Sequence, residues 1–287
     1  MESNTELQDA RLIEMWGELH RNTTNGDPFK PNAYRLAFVD PEFLQRRETR
    51  GIRFQLELLK PDLNLIEQGI ESTVVVYGSA RTLAPDEAAK KLESARASGD
   101  AQRIALAERD VRNSRDYEQA RRFARYVAEY SLNKPPAERL TICTGGGPGI
   151  MEAANRGAHD VGAPNIGLNI TLPHEQSCNP YITPSLAFKF HYFALRKMHF
   201  MMRAKALVVF PGGFGTFDEL FEVLTLVQTH KTKPVPIVLF GSSFWTRALH
   251  LEVLVEQGTL SAEDLELFHV TDDPHEAWEI IRTFYKM

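Results

Sequence analysis

Cysteine is scarce in this chain of 287 residues: Cys143 and Cys178 are its only two, too few for a disulfide framework, so the reducing cytoplasm is the expected location. Long apolar runs are missing as well. Stretches such as Ala206 to Phe210 fall far short of the roughly 18 to 20 residues that a membrane helix needs, so no membrane partner is expected. There is no excess of positive charge. With 33 Lys plus Arg against 38 Asp plus Glu, the net charge is −5, and no global field draws the protein to nucleic acid. Any anion site must be local. The opening residues, MESNTELQDA, lack the basic start and apolar run of a secretory signal. Metal-ligand spacing is lacking too, since His191 and His199 stand apart from any Cys or carboxylate set. Neither a metal nor a cofactor is expected. What is present is 43% apolar, 25% charged and 10% aromatic residues, proportions that supply a large globular core.

The pattern changes near residue 70. Before it lie an amphipathic segment over Leu7 to His20, a turn-rich stretch over Asn22 to Asn32, and a helical pattern through Pro41 to Leu59 closed by Lys60-Pro61. This predicts a helical extension over residues 1–70. From there to residue 287, short β-branched runs alternate with helical patterns. The runs are Thr73–Tyr77, Leu140–Thr144, Asn165–Ile170, Ala206–Phe210 and Val235–Phe240, and the alternation predicts an α/β fold with a parallel sheet. A long helical insert, about 85–133, follows the first strand and reads as two helices hinged at Ser98-Gly99-Asp100. Its arginines interleave with acids, as on a solvated face rather than a nucleic-acid surface.

Three strands run into loops of small residues: Gly78-Ser79-Ala80, Gly145-Gly146-Gly147-Pro148-Gly149, and Pro211-Gly212-Gly213-Phe214-Gly215-Thr216. In a parallel sheet such loops share one edge. Their uncovered N–H groups, beside helix starts, can each hold an oxyanion, and a phosphate is the natural occupant. The dinucleotide fingerprint fails at Ile150, where glycine would be required, and no ATPase phosphate loop occurs. A mononucleotide is left open.

The third loop enters an amphipathic helix with Thr216 at the expected N-cap. Glu219 then has two readings: a capping-box partner of Thr216, or a carboxylate held beside a bound sugar phosphate. Glu222 follows on the same face, as a second site carboxylate or a solvated one. Upstream, Phe190 to Arg203 reads as a helix with Arg196, His199, Phe200 and Arg203 on one face. Cations there suggest an anionic ligand, against a solvated basic face as the other reading.

The strand ending Val-Val-Val-Tyr-Gly-Ser, the segment Thr-Gly-Gly-Gly-Pro-Gly-Ile-Met-Glu, the pair Arg196-Lys197 and Pro-Gly-Gly-Phe-Gly-Thr-Phe-Asp-Glu together resemble the Lonely Guy family, long labelled lysine decarboxylase-like. The likeness spans Thr73 to Gly241 and is closer to the family's longer class. It implies a Rossmann-like homodimer or larger homo-oligomer that hydrolyses the N-glycosidic bond of nucleoside 5′-monophosphates, AMP-like or cytokinin nucleotides, to free base and ribose 5-phosphate. Carried over by position, Arg196 and Glu219 are the catalytic pair. Lys197, Gly212, Gly213, Gly215 and Thr216 fall at ligand-binding positions, with Glu175 and Thr225 as further contacts; Gly78, Ser79, Gly145, Gly146 and Gly147 join them as phosphate-binding candidates, and Glu222 as a site carboxylate, on the reading of the loops and helix face given above. Arg196 then either assists the departing base or clamps the phosphate. No pyridoxal-anchoring lysine is recognisable, which argues against a decarboxylase. The rival reading is a non-catalytic nucleotide-binding or sensing protein of the same fold.

Overall fold

Val74, Val75 and Val76 carry branched side chains that suit a pleated backbone, and a strand made of them must be covered on both faces. The computed structural model describes residues 36–172 and 177–287, and in it this run is the central strand β1 (Thr73–Tyr77), buried along its whole length. The chain divides into two units, Met1–Glu57 and Leu58–Met287. In the first, α1 (Pro41–Leu44) starts on Asp40, whose carboxylate accepts from Glu42 and Phe43 N–H at 3.0 and 3.1 Å. The next helix, α2 (Arg50–Glu67), crosses the division. It passes through Pro61 rather than stopping there. Pro61 and Leu65 are buried, and that packing outweighs the helix bond that the proline forfeits. The segments predicted over Leu7–His20 and Asn22–Asn32 lie outside the described residues.

In the second unit β1 is followed by α3 (Pro85–Ser98) and α4 (Ala101–Leu132). Gly99 between them has φ +67, and Asp100 caps α4 by accepting from Gln102 N–H at 2.9 Å, so the hinge falls where the sequence put it. Several arginines of this insert are ion-paired: Arg121 to Asp160 at 2.6 Å and Arg125 to Glu129 at 2.7 Å. Then come β2 (Thr141–Thr144), α5 (Ile150–His159), β3 (Asn165–Ile170), β4 (Ala187–Phe190), α6 (Phe193–Met202), β5 (Ala204–Val209), α7 (Phe214–Gln228), β6 (Ile237–Phe240), α8 (Ser242–Ala248), α9 (Glu252–Glu256), β7 (His269–Thr271) and α10 (Pro274–Tyr285). The parallel sheet has the order β4-β3-β2-β1-β5-β6-β7.

Strands β4 and β7 were not predicted. They are the two edges, short and only half covered: Phe188 and Phe190 of β4 point inward while Ala187 and Lys189 face out. The segment read as a helix from Phe190 is therefore a strand first, and the helix begins at Phe193. Alternation splits the core. Val74 and Val76 face a cluster with Tyr117, Phe123, Ile150 and Trp278, while Val75 and Tyr77 face Leu65, Phe200, Leu220 and Trp245.

Helices α4 and α5 pack closely at Gly157, where a Cβ would collide with the Arg121 carbonyl oxygen. Gly157→Ala should gain about 1 kcal/mol of helix propensity yet lose about 1–3 kcal/mol or more to overpacking. Thermal denaturation should show a lower Tm; an unchanged or higher Tm would show that the two helices separate freely.

Candidate active site

The chain builds the sheet outward from β1 in one direction, as far as β4, and then returns to β5 on its other side. The loops after β1 and β5 therefore diverge and leave a crevice at their carboxyl ends, where ligands of open α/β sheets bind. Backbone bonds stitch the three glycine loops together at this point. Phe210 N–H donates to Tyr77 O at 2.8 Å, Ser79 N–H to Pro211 O at 3.0 Å, and Ile150 N–H to Ser79 O at 3.1 Å. Gly149, with φ +73, makes the last of these approaches possible, since any Cβ there would strike the Ser79 carbonyl. Gly78, Ser79, Gly145, Gly146, Gly147, Gly212, Gly213, Gly215 and Thr216 thus stand along one edge.

Not every predicted N–H donor is available to a ligand. Gly146 N–H donates to Thr144 Oγ1 at 2.9 Å, and Thr216 N–H to Gly213 O at 2.9 Å. Helix α7 starts three residues earlier than predicted. Gly213 is its N-cap, no side chain caps it, and Phe217 N–H also donates to Gly213 O, at 3.1 Å. Thr216 is therefore inside the first turn, its side chain against Gly212. The capping box is not formed, because the glycine pair lets the first turn close before Thr216. Glu219, the sixth residue of α7, is buried instead of reaching back to the helix start.

Burial drives the proton affinity of Glu219 up; Arg196 and then Lys197 oppose this, while Glu222 and Asp218 add to it, and its pKa stands at about 7. Arg196 is held from three sides: its Nε donates to Leu168 O at 2.7 Å, its guanidinium stands 5.1 Å from the Phe200 ring centre, and it fills the space that a side chain at Gly145 would need. Burial weakens its hold on its proton, offset chiefly by the charge of Glu219. Lys197 points the other way and bridges Asp218 at 2.8 Å and Glu222 at 2.9 Å. These three, with Phe217, Phe221, Thr225 and Leu226, line an open groove of about 470 Å³. The Thr225 hydroxyl donates to Phe221 O at 2.7 Å.

Arg203 is not brought to the site. It closes a separate corner by bridging Asp62 at 2.7 Å and donating to Ile70 O at 3.1 Å. His199 is buried with its ring 5.2 Å from that of Phe190. Glu175 lies outside the described residues. Among the described residues, no three His, Cys, Asp or Glu side chains gather to hold a metal ion, and no helix is long and apolar enough to cross a membrane.

Sequence reasoning missed the support of the second glycine loop. Asn155, fully buried in α5, satisfies both ends of its amide. Its Oδ1 accepts from Thr144 Oγ1 at 2.7 Å and Asn179 Nδ2 at 2.9 Å; its Nδ2 donates to Asn165 Oδ1 at 2.8 Å and Ile166 O at 3.2 Å. Asn179 in turn donates to Gly147 O at 3.1 Å through Nδ2 and to Gly146 O at 2.9 Å through its backbone. An asparagine amid apolar helix positions was the available signal.

Residues 151–281 match the family described as possible lysine decarboxylase. A cytokinin riboside 5′-monophosphate phosphoribohydrolase of Arabidopsis thaliana is 30% identical over 124 residues, 41% of this chain and 55% of that protein. Over this segment, the chain resembles the Lonely Guy family. A probable rice enzyme of the same description is 30% identical over 156 residues, 52% of this chain and 66% of that one. A pyrimidine/purine nucleotide 5′-monophosphate nucleosidase of Escherichia coli is 29% identical over 139 residues, 45% of this chain and 28% of the relative. The chain thus spans between half and two thirds of the length of the two plant relatives. The matched segment holds Arg196, Lys197 and Glu219 but begins after the first two glycine loops, which the backbone bonds described above tie to it.

Two consequences are measurable. Asn155→Ala strands the Thr144 hydroxyl and the Asn165 amide oxygen and should cost at least about 2 kcal/mol in urea unfolding; wild-type stability would show the network to be dispensable. Glu219 binds its proton more tightly folded than its ordinary pKa of 4.5 allows unfolded, so the folded state carries more protons between about pH 4.5 and 7 and loses stability as pH rises through that window. Glu219→Gln should therefore stabilise the protein at pH 8, by up to about 3 kcal/mol, and little at pH 5. Equal effects at both pH values would show a carboxylate with no buried charge penalty.

Proposed function

We propose that the protein hydrolyses the N-glycosidic bond of nucleoside 5′-monophosphates, giving free base and ribose 5-phosphate. The observation that carries this reading is the buried carboxylate of Glu219, with a pKa of about 7 beside Arg196, on the helix whose glycine-rich start opens at the sheet's crevice. The names of the plant and bacterial relatives support it. A 5′-phosphate accepts from the free N–H groups of the glycine loops, helped by the partial positive charge of the α7 start. That remote binding energy sets C1′ of the ribose against Glu219.

Breaking the C1′–N bond builds positive charge on the ribose, which the Glu219 carboxylate stabilises. A water adds to C1′ and gives up a proton to the carboxylate, and the leaving base takes the electron pair of the broken bond and a proton. A group with a pKa near 7 is suited to both halves of such a transfer at neutral pH. Arg196 acts at this end of the substrate rather than on the phosphate: its charge faces Glu219, and its tether to Leu168 O aims it along the second loop. On the groove rim, Lys197 carries one positive charge against the two of Asp218 and Glu222, so additional phosphates are unwelcome. AMP is the model substrate, and ATP a poor ligand. Cytokinin nucleotides are one candidate class among the monophosphates.

The working form is a homodimer or larger homo-oligomer. Phe193, Met198 and Met202 of α6 are about half exposed, an apolar surplus suited to a second copy. Light scattering at micromolar concentration should give at least twice the monomer mass, and a monomer would remove this part of the proposal.

Purified protein should release adenine from AMP and little from adenosine, with Glu219→Gln lowering turnover about 100- to 1000-fold while AMP still binds. Equal kcat/KM for AMP and adenosine would remove the phosphate site. AMP binding without any base release would make this a nucleotide-binding protein rather than an enzyme.

A further inference from the structure

Tyr77 is the last residue of β1 and is buried. Its ring meets Phe200 edge to face, with centroids 4.9 Å apart. Phenylalanine would satisfy that packing equally well. What tyrosine adds is a hydroxyl, and a buried phenol hydroxyl requires a partner. Its Oη donates to Oε2 of Glu219 at 3.5 Å, joining side chains 142 positions apart.

We propose that Tyr77 is a positioning residue for Glu219, its hydroxyl orienting the carboxylate toward C1′ and favouring the ionised form that accepts a proton from water. This rests on the catalytic reading of Glu219. Everything else that faces the carboxylate is accounted for: Arg196 and Lys197 from α6, and Asp218 and Glu222 from α7 itself. Cys143 of β2 faces Tyr77 and Arg196 as a neutral thiol, its proton held by burial. Arg196 and Lys197 favour charge on Glu219 through space, Lys197 while bridging Asp218 and Glu222, and the Tyr77 hydroxyl is the side-chain donor that reaches its carboxylate. Burial, then the charge of Glu219, raises the Tyr77 phenol well above its ordinary value, so it stays protonated and remains a donor wherever Glu219 titrates. The position has a second consequence. Gly78 and Ser79 follow Tyr77 directly, so the strand that presents the first glycine loop also sets the carboxylate's direction.

The test uses the full chain and two substitutions that retain the ring: Tyr77→Phe, which removes the donor, and 3-fluorotyrosine at position 77, which strengthens it. The Glu219 titration is read by pH-difference infrared spectroscopy, the carboxyl band being identified by its loss in Glu219→Gln. Tyr77→Phe should move the midpoint up by about half a pH unit or more, and the fluorinated residue should move it down. The acid limb of the AMP rate profile should follow, so that Tyr77→Phe loses several-fold in kcat at pH 6 and less at pH 8, with KM little changed. A role in packing alone predicts no opposed shifts. A midpoint that does not move in an enzyme that still releases base overturns the role of Tyr77 alone. A wild-type protein that releases no base overturns the hydrolase reading, and the catalytic use of this bond with it.

Discussion

An ionised carboxylate buried without compensation would simply take up a proton. Glu219 is held at the balance point because the desolvation that favours its neutral form is opposed by Arg196 and Lys197 from the adjacent helix. That opposition needs α6 and α7 on the same face and at the same edge of the sheet. The chain achieves this with one strand: α6 leads into β5 and α7 leads out of it. The central pairing of β5 with β1 then brings Tyr77 and the first glycine loop to the same place.

Arg196 and Lys197 are adjacent in sequence and have opposite fates, because successive helix residues point about 100° apart. Arg196 turns toward the interior, where burial leaves its charge less screened by water. Lys197 turns to the rim and is neutralised by Asp218 and Glu222. One positive charge therefore works inside the site and the other shapes its mouth. The second glycine loop shows the same economy on the neutral side. Asn155, Asn165 and Asn179 bond one another and the loop backbone, which fixes the loop before any ligand arrives.

Much of this was legible in the sequence, for local reasons. β1 and β3 appear with the limits expected of them, because parallel strands buried on both faces read as β-branched runs between glycines. The hinge at Gly99 was legible because a left-handed residue followed by an Asp cap has a local signature. The strands that were missed are edges. β4 runs into α6 with no turn residue to separate them, so its last residue, Phe190, was absorbed into the helical pattern. The misread helix start is instructive in another way. Thr216 and Glu219 have the spacing of a capping box, but two glycines upstream let the turn close earlier, and local chemistry at Gly213 overrode the side-chain pattern. Tyr77 and Asn155 were silent because their roles exist only between segments. A tyrosine ending a strand and an asparagine in a helix are ordinary until residues 142 and 24 positions away, Glu219 and Asn179, come within reach.

The central claim is that the glycine loops and the buried carboxylate form one site, with phosphate at one end and the glycosidic carbon at the other. A crystal structure of the protein soaked with ribose 5-phosphate tests it most directly. The account predicts the phosphate oxygens on the backbone N–H groups at the start of α7 and C1′ facing the Glu219 carboxylate, with the Arg196 guanidinium on the same side. Phosphate bound away from these loops, or a sugar whose C1′ points away from Glu219, would contradict it.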